Sequence, residues 1–168
     1  MKNYYIGAIM CGVSLIAPML QANPQTSNPT QKAPMTMHAK GTFDVTITPQ
    51  TADGKFEDAT LNRRTIDKQF HGDLEATSKG VMLSAMTEVK GSAGYVALER
   101  VTGTLHGRSG SFILQHSATM DRGKPQLSIT VVPDSGTGQL AGLTGKMDII
   151  INQGKHAYDF EYTLPESK

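Results

Sequence analysis

The chain has 168 residues, 38% of them hydrophobic, a net charge of +1, one cysteine and no tryptophan. That length suits one domain with a substantial core, and basic and acidic residues alternate instead of clustering, which excludes an electrostatic footprint for nucleic acid or an anionic membrane. The lone cysteine, Cys11, excludes a disulfide framework.

In chain order, residues 1–22 read as a secretory signal peptide. Lys2 precedes an apolar run from Ile6 to Leu20, and Ala22 supplies a small residue at the cleavage point. A membrane anchor is the competing reading, but the run is short for a span and contains Pro18. Cleavage would leave a mature chain without cysteine, hence without a thiolate nucleophile or thiolate metal ligand, with no membrane attachment and a secreted or periplasmic location. Residues 23–38, rich in proline, asparagine, glutamine and threonine, lack periodicity and read as a disordered linker. The domain is expected over residues 39–165.

From Lys40 onward apolar residues recur with a period of two, and glycine-containing breaks interrupt them. Phe43, Val45 and Ile47 mark the first strand, ending before Pro49, and a loop follows from Thr51 to Asp58. The second strand is expected over Ala59–Glu75, with Ile66, Phe70 and Leu74 inward; its basic pair, Arg63-Arg64, reads as a solvated strand end. The third is expected over Val81–Val89, turning at Lys90-Gly91 into Tyr95–Leu105, and the fifth over Ser111–Met120. A turn at Arg122-Gly123 leads to Gln126–Val132; Lys146–Asn152 then turns at Gln153-Gly154 into Lys155–Leu164. The fold class is therefore all-β: an eight-stranded antiparallel meander closed into a barrel, because closure removes the edges an open sheet would expose. A two-sheet sandwich is the alternative.

The hairpin between the fourth and fifth strands sets the expected register. A two-residue loop at Gly107-Arg108, of type II′, pairs His106 with Ser109 and, counting outward, Gly103 with Phe112, Val101 with Leu114, Glu99 with His116 and Ala97 with Ala118. Phe112 would then cover the bare backbone of Gly103. Other loop lengths move partners, but an even shift leaves each residue on its face.

The stretches KQFHGDLEATSKGVML, GSAGYVALERVTGTLHGRSGSFILQHS and GTGQLAGLTGKM resemble a bacterial family, the domain of unknown function numbered 3224, over nearly all of Ala39 to Leu164. That family carries no established activity. Its fold resembles the eight-stranded barrels of allene oxide cyclases and dirigent proteins, which also have glycine-rich GTG-type segments. The wider kinship implies an apolar cavity and hints at cyclisation or ligand orientation. A leader and linker ahead of the domain depart from a cytosolic member.

Tyr95, Glu99 and His116 share the inward face with Phe43, Phe112, Leu114, Ile129, Ile149 and Phe160. A carboxylate beside an imidazole in a low-dielectric interior can exchange a proton, and Tyr95 could donate to a substrate oxygen, so these three are the candidate catalytic residues. The competing reading is a satisfied internal polar cluster. Phe70, Met82, Met86, Phe112, Leu114, Tyr158, Phe160 and Tyr162 are the candidate ligand-binding lining, or equally a plain core. No cofactor is expected, since Gly136–Ala141 fits a GxGxxA dinucleotide pattern with no helix to follow and reads as a turn cluster. No metal is expected, since the five histidines show no ligand spacing. Gly107–Ser111 lacks the spacing of a serine-nucleophile elbow. Outward Leu83, Val96, Leu98 and Ile113 form an apolar patch that points to a homo-oligomer.

The leading functional expectation is an exported barrel binding a small, largely apolar molecule inside. A cofactor-independent cyclase or isomerase using Glu99 and His116, and a filled barrel acting through its surface, are the alternatives.

Overall fold

Alternation of apolar and polar side chains builds eight antiparallel strands, and each strand pairs with its neighbours in sequence until the last returns to the first. The computed structural model describes residues 35–50 and 61–165. The strands are β1 (Met37–Pro49), β2 (Leu61–Gly72), β3 (Leu74–Met86), β4 (Ala93–Leu105), β5 (Arg108–Asp121), β6 (Lys124–Val131), β7 (Thr144–Asn152) and β8 (Lys155–Thr163). The expected signal peptide, most of the expected linker and the loop from Thr51 to Asp58 lie outside the described residues. At the domain's start, Met37 and His38 already belong to β1, opposite Tyr162 and Glu161 of β8.

Two expectations about the strands are corrected. The second strand does not run from Ala59 to Glu75: it ends at Gly72, whose φ of 109° lets the chain reverse, and β3 begins at Leu74. Asp73 fixes this corner, its Oδ2 accepting the Lys40 backbone N–H at 2.8 Å. The hairpin between β4 and β5 turns at His106-Gly107, one residue earlier than expected, and both residues are left-handed at φ 46° and 77°. That geometry belongs to a type I′ turn. Leu105 consequently faces Arg108, Glu99 faces Leu114, Ala97 faces His116, and Gly103 faces Gly110 instead of Phe112. Because both partners move together, every side chain keeps its expected face. The registers around Arg122-Gly123 and Gln153-Gly154 are as the pattern predicts, with His116 opposite Ile129 and Tyr158 opposite Ile149.

The two ends of the barrel differ. At the end holding the β2–β3 and β4–β5 turns, the interior is filled: Phe112 stacks on Phe160 with centroids 5.6 Å apart, and Phe160 on Tyr162 at 5.4 Å. The GTGQLAGL segment forms a short 3-10 turn at Gly138–Leu140 that buries Leu140 and Leu143 as a plug. Thr137 seats it, its Oγ1 accepting the Ser111 N–H at 3.0 Å. At the opposite end the interior is not filled, and Met86 and Met120, although on inward positions, are 58% and 42% exposed. The wall is also uneven, since β6 and β7 share a single register pair, Thr130 with Lys146.

Candidate functional site

Halfway along the interior, four consecutive strands contribute one polar side chain each. Lys68 of β2 stands directly opposite Ser78 of β3, Glu99 of β4 lies one step along, and His116 of β5 a step beyond that. Gly80, opposite Glu99, leaves the room, because a Cβ there would come within 3.1 Å of the Glu99 Cβ. Lys68 Nζ donates to Glu99 Oε2 at 2.7 Å, and the Ser78 hydroxyl donates a short hydrogen bond to Oε1. His116 Nε2 approaches the same Oε2 to 2.9 Å. All four are buried, Glu99 completely.

Burial pushes the Glu99 carboxyl up, but His116, the charge and hydrogen bond of Lys68, and the Ser78 hydroxyl outweigh it and hold it at about 2, below the ordinary 4.5. A carboxylate stabilised to that degree is a weak proton acceptor near neutrality. Lys68 is further engaged by aromatic faces, its ammonium lying 4.9 Å from the Phe43 ring centre and 5.5 Å from that of Phe70. Apolar side chains sit on both sides of the quartet: the large core of the plugged end, and a smaller cluster of Ile66, Met82 and Ala97.

The smaller cluster carries Val45 and Tyr95 at its margin, and Tyr95 opens onto a cavity of about 400 Å³ at the unfilled end. Its walls come from Ile47, Met82, Met86, Ala118, Met120 and Leu127, with the polar side chains of Arg64 and Tyr95 among them. Arg64 is thus not a solvated strand end: it shares the inward parity of Ile66 and Lys68. The Tyr95 phenol is pushed above 10.0 by burial and, secondarily, by the Glu99 charge, so it stays a neutral hydrogen-bond donor.

Of the candidate catalytic residues, Glu99 and His116 meet in the buried quartet, while Tyr95 lines the cavity beside it. Of the candidate lining, only Met82 and Met86 reach the cavity; Phe70, Phe112, Leu114, Tyr158, Phe160 and Tyr162 pack in the large core. Tyr158 has a structural task there, accepting the Leu74 N–H at 2.9 Å and donating to the His71 carbonyl at 3.2 Å. Lys68, Ser78 and Arg64 were not anticipated, although alternation from Ile66 and Phe70 places Lys68 and Arg64 inward. Ser111, in the serine-containing turn sequence, is tied to Thr137 at 2.9 Å between hydroxyls. Among the described residues no three His, Cys, Asp or Glu side chains converge as a metal site. On the outer wall Leu83, Val96 and Leu98 are each more than half exposed, with Ile113 half-buried.

Residues 39–162 match a family described as a protein of unknown function, DUF3224. A crystal structure of a protein of unknown function from the same family, from Shewanella oneidensis MR-1, is 48% identical and superposes with a TM-score of 0.74, covering 79% of this chain and 100% of its own. No curated protein matches the chain.

Proposed function

Since the chain belongs to the DUF3224 family, whose description assigns no activity, we propose from the site alone that this barrel binds a small, largely apolar molecule in its unfilled end, after export directed by the leader. The observation that carries this reading is inward-facing apolar surface left uncovered: Met86, Met120 and Ile47 point into the barrel, yet each stays more than 40% exposed around a cavity of about 400 Å³. Methionines adapt to irregular guests, and Tyr95 adds one fixed polar contact. The cyclase or isomerase alternative is less well supported, because Glu99 is enclosed, already compensated and weakly basic.

Native mass spectrometry of the protein purified from its own host tests the proposal. The expected result is a retained small molecule that is lost from Ala118→Trp, a substitution that fills the cavity from β5 while leaving the plugged end intact. A wild-type protein that retains nothing and takes up no apolar probe, with Ala118→Trp indistinguishable from it, overturns the reading.

A further inference from the structure

The inward face of β2 carries two cations, and only one of them is answered. Lys68 has Glu99 at 2.7 Å. Arg64, four residues toward the open end on the same face, opposite Pro49 and Met82, has no anionic partner among the described residues. Its Nε is buried without a hydrogen-bond acceptor, and its side chain lines the cavity. A buried guanidinium donor left unmade is costly, and native interiors rarely leave one so without a reason. Every neighbour of like position is apolar or a neutral hydrogen-bonding group: Ile47, Met82, Met86, Ser84 and Tyr95. The cavity therefore offers a planar fork of cationic donors, one phenolic O–H and otherwise apolar surface.

Building on the binding function proposed above, we infer that the guest carries one small anionic group, a carboxylate or its equivalent, which Arg64 receives, while its apolar body lies against Met82, Met86, Met120 and Leu127. Guanidinium suits this role because two of its N–H groups can meet two oxygens of one acid side by side, and water is largely displaced from the apolar walls around the pair. Tyr95 is placed to donate to the same group or to a second oxygen of the guest. Glu99 does not oppose an incoming anion strongly, since its charge is matched by Lys68 and it does not line the cavity.

The test uses two probes of matched shape, phenylbutyrate and phenylbutanol, whose aryl group suits methionine contacts, titrated calorimetrically into the wild-type protein and into Arg64→Met and Arg64→Gln. The wild type is expected to bind the acid roughly tenfold or more tightly than the alcohol, and both variants to lose that preference while keeping the alcohol. The wild-type comparison and its weakening by salt stand even if a variant fails to fold. Equal affinity of the wild type for acid and alcohol overturns the anionic guest and leaves the apolar cavity standing. Binding of neither probe by the wild type overturns both. An acid preference that survives in Arg64→Met and Arg64→Gln removes Arg64 from the role.

Discussion

Lys68 Nζ and Glu99 Oε2 are 2.7 Å apart inside the barrel, on strands separated by β3, with neither side chain more than 5% exposed. Each ion is tolerable there only because the other is present. Removing one partner, by Lys68→Met or Glu99→Leu, is expected to cost about 3–5 kcal/mol in chemical denaturation, because it strands the remaining charge. The double variant is expected to recover much of the loss; destabilisation equal to the sum of the two single variants would show that the pair is not coupled.

The same carboxylate sets an acid limit. Its value in the folded protein, about 2, lies below the ordinary 4.5, so its contribution is complete above the unfolded value and is lost as pH falls through the folded one. Stability measured by urea unfolding should decline across that window, with Glu99 supplying on the order of 3 kcal/mol of the change. In Glu99→Gln the dependence should flatten over the same range.

Tyr158→Phe tests the plugged end. It removes the hydroxyl that accepts from the Leu74 N–H and donates to the His71 carbonyl, leaving a buried backbone donor unmet at a cost of about 1–3 kcal/mol in the unfolding free energy. The open cavity is remote from this contact, so probe binding should be unchanged.

The outer patch is expected to hold two copies together. Leu83 of β3 stands directly opposite Val96 of β4, with Leu98 next along the same outward face and opposite the exposed Val81, and light scattering should give a mass above that of one chain. Leu98→Lys should return the protein to a monomer with little change in melting temperature; a wild type that is already monomeric removes the interface.

Period-two patterning made the barrel and nearly every inward position legible, because one buried face demands strict alternation. Turn placement was harder. Gly107 invites a loop with itself at the first position, and only the left-handed φ adopted by His106 moves it; a histidine carries that preference weakly. The split at Gly72 was missed because Ile66, Phe70 and Leu74 fit one uninterrupted strand as readily as two. Glu99 and His116 were legible as neighbours on one face, but Lys68 was overlooked: alternation from Ile66 and Phe70 points it inward, while its charge argues for the surface. Tyr158, Phe160 and Tyr162 look like any cavity lining until the plug of Leu140 and Leu143 shows which end is solid.

The single register pair between β6 and β7 has a mechanical meaning. Only Thr130 and Lys146 pair across this boundary, whereas eight pairs join β5 to β6 and nine join β7 to β8, so the closed cylinder is least laced here, and Pro125 near the start of β6 has no N–H to add a bond. Parting this seam breaks few ladder bonds, whereas every other boundary is laced along most of its length. Under strain, the wall is therefore expected to part along this seam before any other strand boundary gives way.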